Sequence, residues 1–303
     1  MNRNVKASAV FALAVSVAGV ALTGCDEGST AEPKAPASAA ASEEQGEDLV
    51  TGTQKIQVEG SSVNVSCTGE AAEGKPVIIL LHGGGDSLDT FADLQKTLGE
   101  QDRVCSYDRL GAGASDQPDG PQSFDSTGAI LTGVIDQVAG DAPVVLAGHS
   151  LGGLIAGRYA PEHTDRVAGL VLLDATSPTQ IADFEREVPA DATGPAAEVK
   201  AQTLAIFEGQ SPEQLVIPDA EVGSAGDIPV EVIQHGKPYL SAIPEYGAGL
   251  EQAWADGQEK WLALSSNSNL SSAANSEHYI HVDEPDVAID AIQRVVSESA
   301  KSE

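Results

Sequence analysis

The sequence predicts an α/β protein built on a mostly parallel sheet of about eight strands, flanked by helices. Three observations carry this. Near-continuous aliphatic runs recur as PVIILLHG (76–83), PVVLAGHS (143–150) and VAGLVLLD (167–174), the composition of strands buried on both faces. Helix-compatible stretches at about 88–99, 126–139, 151–160 and 286–299 alternate with them, as crossovers between parallel strands require. Two strand-like segments at the start, TQKIQVEG (53–60) and SSVNVSC (61–67), are joined so tightly that they read as an antiparallel hairpin at one sheet edge. RVCSYDR (103–109), IPVEVIQHG (228–236) and a weak strand before His278 complete the set. The stretch 176–228 is too long for a plain crossover and its middle is helix-compatible. It reads as a helical cap inserted between the sixth and seventh strands.

Residues 1–24 do not read as part of this fold. Arg3 and Lys6 precede an apolar run that ends in LTGC, Leu22 to Cys25. Basic start, apolar middle and small residues form an export signal. The ending resembles the lipobox of bacterial lipoproteins, which implies cleavage before Cys25 and lipidation of that cysteine. An uncleaved transmembrane anchor is the alternative, and both place the domain on the extracytoplasmic face of a bacterial envelope. Residues 25–50 are rich in Ala, Ser, Pro and Glu without apolar period, which reads as a flexible tether. Residues 51–303 then form the folded domain.

Composition narrows the function. Of 303 residues, 41% are apolar, enough for a sizeable core, while only 4% are aromatic, so aliphatic side chains must fill it. A formal net charge of -30 excludes nucleic acid as a partner, because phosphates would be repelled. Besides Cys25, the chain has two cysteines, Cys67 and Cys105, both in strand-like segments. In an exported protein they are candidates for a disulfide, or for two buried thiols acting as small apolar residues.

The segment GHSLGG (148–153) follows one aliphatic strand and opens a helix. Gly-x-Ser-x-Gly in that context is a nucleophile elbow, with Ser150 presented at a sharp turn near a helix N-terminus. The sequence resembles the α/β-hydrolase fold family, particularly its serine esterases and lipases, over residues 53–299. The resemblance rests on LLHGGGDS, YDRLGAGASD, GHSLGG, GLVLLDATSP and EHYIHVDEPDVAIDAI, in the family's order. It implies Ser150 as nucleophile and the backbone N–H groups of Leu151 and Gly84 as oxyanion donors, with Gly85 as fallback. It also implies His278 as base, with His281 the second choice. Glu277 departs from the glycine that often precedes this histidine. The acid often follows the seventh strand in the family, but no carboxylate stands at the turn after IPVEVIQHG. Asp174, after the sixth strand, is therefore assigned, with Glu245 and Asp256 as fallbacks. His82 is expected to support the oxyanion loop, and Asp108 and Arg109 to form an ion pair beside the site. His235 reads as a pocket-lining or surface residue, and Trp254 and Trp261 as core residues on one helical face.

These assignments imply an exported, lipid-anchored serine hydrolase that cleaves small carboxylic esters, with amides open to the same machinery. Neither cofactor nor metal is called for. A catalytically silent envelope protein that uses the scaffold to bind a ligand or partner is the alternative.

Overall fold

The computed structural model describes residues 49–300. The leader, Cys25 and the tether up to residue 48 lie outside the described residues. Val50, assigned to the tether, is buried with the domain's core.

Eight strands form one sheet: β1 (Gly52–Val58), β2 (Ser61–Thr68), β3 (Val77–Leu81), β4 (Val104–Tyr107), β5 (Val144–His149), β6 (Val167–Leu173), β7 (Val230–His235) and β8 (Ser268–Ala273). Their spatial order is β1-β2-β4-β3-β5-β6-β7-β8. β1 and β2 form the expected antiparallel hairpin, β2 runs antiparallel to β4, and all later pairs are parallel. Cys67 and Cys105 face each other across β2 and β4 and are joined as a disulfide.

The α-helices among the described residues are α1 (Ala92–Leu98), α2 (Phe124–Ala139), α3 (Leu151–Tyr159), α4 (Gln180–Glu187), α5 (Pro195–Phe207), α6 (Gly247–Lys260), α7 (Ile280–Asp283) and α8 (Pro285–Ser299). Two layers of core follow from strand alternation. On β3 and β5, Ile79, Leu81 and Leu146 face α2 and α3, whose Leu131, Ile135, Leu154 and Ile155 complete that cluster. Ile78, Leu80, Val145 and Ala147 face the other way, toward Leu94 and Leu98 of α1 and Ile292 and Val295 of α8.

The 176–228 insertion divides in two. Its α4 and α5 build a small satellite core of Phe184, Val188 and Ala196, closed by Leu250 of α6. The remainder descends into the main core, where Leu215, Ile217 and Ala225 are buried. Leu215 and Val216 also bridge Gln122 and Glu208. Only the first half is a separate layer, so the cap is smaller than expected. α6 lies outside the four predicted helix stretches, although Trp254 and Trp261 are expected on one helical face. Three glycines, Gly247, Gly249 and Gly257, weaken its helical signal. Gly257 is needed for packing, since a Cβ there would lie 2.7 Å from Ser177 Cβ.

His281, the second choice for the base, packs beside the second core layer. It is buried, its ring lies 4.6 Å from Phe91, and neither nitrogen has a hydrogen-bond partner among the described residues. Burial, with the charge of nearby His278, pushes its pKa down to about 4. The unfolded chain, with an ordinary histidine pKa of about 6.5, binds this proton first. His281 therefore costs stability as pH falls from about 6.5 toward 4, at up to about 1.4 kcal/mol per unit. Relative to the wild type, His281→Leu is expected to lose about 2 kcal/mol less stability between about pH 7 and 4.5. Urea unfolding at the two pH values measures the difference.

Candidate active site

Ser150 sits at the turn between β5 and α3 with φ 50° and ψ -118°. A non-glycine residue rarely holds this conformation, and it persists only where the surroundings enforce it. Two flanking glycines are the enforcement. A Cβ on Gly148 would lie 2.4 Å from the Gly152 carbonyl oxygen, and one on Gly152 would lie 2.1 Å from that of Leu81. Any side chain at either position would push α3 away from β3 and β5 and open the turn. The backbone is pinned further: Ser150 N–H donates to Leu173 O (3.2 Å), and Thr176 N–H donates to Ser150 O (3.1 Å). Ser150 is half-buried, and its hydroxyl makes no hydrogen bond among the described residues.

One residue beyond the carbonyl that holds Ser150 lies Asp174, also at positive φ (46°) and fully buried. Its carboxylate accepts from four donors. His278 Nδ1 lies 2.7 Å from Oδ2, and His235 Nδ1 lies 2.8 and 2.9 Å from the two oxygens. The indole N–H of Trp254 (2.9 Å) and the backbone N–H of His235 (3.1 Å) bond Oδ1. Burial alone would raise the pKa of Asp174. The hydrogen bonds and charges of His235 and His278 outweigh it and hold the carboxyl well below the usual carboxylate range. The fallback acids stand elsewhere: Glu245 is exposed, and Asp256 is exposed and accepts from Gln252.

His278 keeps its Nε2 free among the described residues, with its side chain 22% exposed. It lies close to the elbow: the ring of His149, the residue before Ser150, is 4.6 Å from the His278 ring, and His149 Nε2 is 3.0 Å from His278 O. Glu277 is exposed, so the departure from glycine leaves a solvent-facing carboxylate beside His278.

His235 was expected to line a pocket or face solvent. It lines a cavity with Glu251 and Trp254, and it is buried between two carboxylates, with Nδ1 on Asp174 and Nε2 2.6 Å from Glu251 Oε1. A neutral imidazole has one N–H and cannot donate to both. The doubly protonated ring can. Burial disfavours that charge, but Asp174 and then Glu251 outweigh it, and the pKa of His235 is raised.

The glycine loop after β3 is held from below. Arg109 donates through Nη1 to His82 O (2.6 Å) and through Nη2 to Gly83 O (2.9 Å). The same guanidinium forms a buried bidentate pair with Glu213, at 2.7 and 3.0 Å. Glu213 also accepts from the Gly85 backbone N–H, which engages the fallback oxyanion donor. Gly84 lies beside Leu151, since a Cβ on it would meet Leu151 Cδ2 at 3.4 Å and Cβ at 3.7 Å. His82 is buried, bonds Gly83 O through Nδ1 (2.8 Å), and has its pKa lowered to about 4 by burial and then by Arg109.

Two expectations are corrected here. Asp108 does not pair with Arg109. It accepts from Leu88 N–H (2.7 Å), Ala114 N–H (2.8 Å) and Asn64 Nδ2 (2.9 Å), and so braces the turns on either side. The two tryptophans do not share a role: Trp261 is buried in the core, while Trp254 is half-buried and bonds Asp174. Glu213, Glu251 and the hydrogen-bonding role of Trp254 were missed. Each is a lone polar or aromatic residue in a weakly patterned stretch, with no signal of its partner, which stands 104 positions away for Glu213, 16 for Glu251 and 80 for Trp254.

Residues 76–210 match the family model described as alpha/beta hydrolase fold. A 1-acylglycerol-3-phosphate O-acyltransferase of Arabidopsis thaliana is 32% identical over 124 residues, covering 40% of this chain and 30% of the relative. A pimeloyl-[acyl-carrier protein] methyl ester esterase of Photorhabdus laumondii is 35% identical over 108 residues, covering 35% of this chain and 38% of the relative. The chain thus spans about a third of the length of either. Among solved structures, the enol-lactonase from Burkholderia xenovorans LB400 superimposes with a TM-score of 0.56 at 20% identity, over 81% of this chain and all of that one. Sheet order, elbow and these matches agree that the chain has the α/β-hydrolase fold.

Proposed function

We propose that the chain is an exported, lipid-anchored serine hydrolase that cleaves small carboxylic esters through an acyl-enzyme. The observation that carries this reading is the 2.7 Å contact of His278 with buried Asp174, beside an elbow serine whose hydroxyl is unengaged. Ser150 Oγ attacks the ester carbonyl while its proton passes to His278 Nε2, the nitrogen not used by Asp174. Asp174 orients the ring and stabilises its cation. The carbonyl oxygen becomes an oxyanion received by the N–H groups of Leu151 and Gly84, at the start of α3 and in the adjoining glycine loop. His278 then protonates the departing alkoxide, which leaves as the alcohol. Water, deprotonated by the same nitrogen, attacks the acyl group, and Ser150 recovers its proton as the acid is released. Two similar proteins, a methyl ester esterase and an enol-lactonase, are named for the same reaction class.

Fluorophosphonate labelling tests the nucleophile. The wild type is expected to label and Ser150→Ala not to; an unlabelled native wild type favours the silent binding protein. His278→Ala is expected to lower kcat/KM for a p-nitrophenyl ester by about 10⁴-fold or more, whereas His281→Leu leaves it near wild type.

The Arg109–Glu213 pair ties the insertion to the oxyanion loop. Glu213→Gln keeps the side-chain shape but removes the counter-charge and loosens the hold on Gly85. The expected result is a fall in kcat of about 10–100-fold, smaller than or comparable to direct loss of an oxyanion donor, with KM little changed. Steady-state kinetics on the purified variant reads both.

The anchor is tested separately. Metabolic labelling with a fatty acid is expected to mark the wild-type chain and to fail in Cys25→Ala.

A further inference from the structure

A cavity of about 590 Å³ lies on the far side of α3, lined by Phe124 and Thr132 of α2, Ile155 and Arg158 of α3, and Val222 and Trp261. Its size suits a small organic ligand. None of Gly84, Ser150, Leu151, Asp174 and His278 lines it. Arg158 follows Ser150 by eight positions, about 12 Å along the helix.

Two side chains of this lining have unfilled donors. Trp261 is 1% exposed, and its indole N–H has no partner among the described residues. Arg158 Nε is buried and equally unpartnered. The Arg158 guanidinium lies 4.2 Å over the Phe124 ring, and its Nη2 donates to Pro218 O at 2.6 Å. It forms no ion pair among the described residues, unlike Arg109 with Glu213. Asp219 acts on it electrostatically, but both Asp219 oxygens accept backbone N–H bonds from Ile181 and Ala182. Asp125, Glu162 and Glu221 line the cavity but are exposed, where water and salt screen them. His163 is stacked on Tyr159, with Nδ1 on Tyr159 O. Burial lowers the pKa of Arg158 to about 10, so it stays charged at neutral pH. A half-buried cation without a carboxylate partner is an incomplete pair.

We propose that this cavity is a second ligand site, which takes a small amphipathic carboxylate. The carboxylate supplies the acceptor and counter-charge that Arg158 lacks, with the Trp261 indole N–H as a further donor of the same lining. An aliphatic or aryl body rests on Phe124, Ile155 and Val222. The site is independent of the ester-hydrolase reading, since it shares no residue with that machinery.

Octanoate is the probe, titrated by calorimetry into the purified wild-type chain at neutral pH, with octanamide as the uncharged comparison. Octanoate is expected to bind about tenfold or more tighter than octanamide. Arg158→Gln removes the cation. Ala129→Trp, from an exposed position of α2 on the same lining, fills the space and leaves Arg158 intact. Each is expected to weaken octanoate about tenfold or more. If Arg158→Gln does not fold, Ala129→Trp decides. The proposal is overturned by absence of octanoate binding up to about 10 mM, by equal affinity for octanamide, or by wild-type affinity in a folded variant of either position.

Discussion

A fully buried carboxylate at the end of β6 is the constraint on which the site depends. Taking an ionised aspartate out of water costs several kcal/mol unless each lone pair finds a donor. Asp174 meets that requirement with two imidazoles, an indole and a backbone amide, drawn from β7, α6 and the loop before α7. Those segments are distant in sequence and have few other reasons to converge. The carboxylate therefore organises as well as orients. Removing it would leave His278 without its anchor and would leave His235 and Trp254 with unsatisfied donors.

The serine side of the site is governed by sterics instead. The turn around Ser150 closes because Gly148 and Gly152 let backbone pass within 2.1 to 2.4 Å of where a Cβ would be. The glycine loop that faces it is governed by charge. Arg109 grips two of its carbonyls and Glu213 one of its amides, so a buried ion pair sets the height of the loop against α3. Glu213 comes from the insertion after β6. That insertion thus reaches underneath the site, through residues 213–217, as well as building the satellite core with α4 and α5.

The parts of this arrangement that were legible in the chain are those with a local cause. Aliphatic runs marked the buried strands, and glycines flanking Ser150 marked the elbow. Asp174 stood out as a lone acid after a wholly apolar strand, and Cys67 and Cys105 fell on strands that prove to be neighbours. The parts that were not legible have distant causes. Arg109 and Asp108 are adjacent, and adjacency suggested a pair. The fold turns one toward Glu213 and the other toward Leu88, Ala114 and Asn64. Glu251 and Trp254 lie one turn apart on a helix whose glycines obscure its period, so nothing local announced that their side chains point at β7 and Asp174.

His235 joins these observations. It ends β7, and the carboxylate it bonds stands after β6. This puts a second imidazole against the carboxylate that bonds His278. A neutral His235 would leave one ring nitrogen's lone pair facing an anion. The protonated ring bonds Asp174 on one side and Glu251 on the other. Asp174 is held at complete burial because two imidazoles, an indole and a backbone amide all bond it, while Glu251 on the far side of His235 is partly exposed. The histidine at the end of β7 thus helps hold the buried carboxylate after β6, which remains the acceptor beside His278.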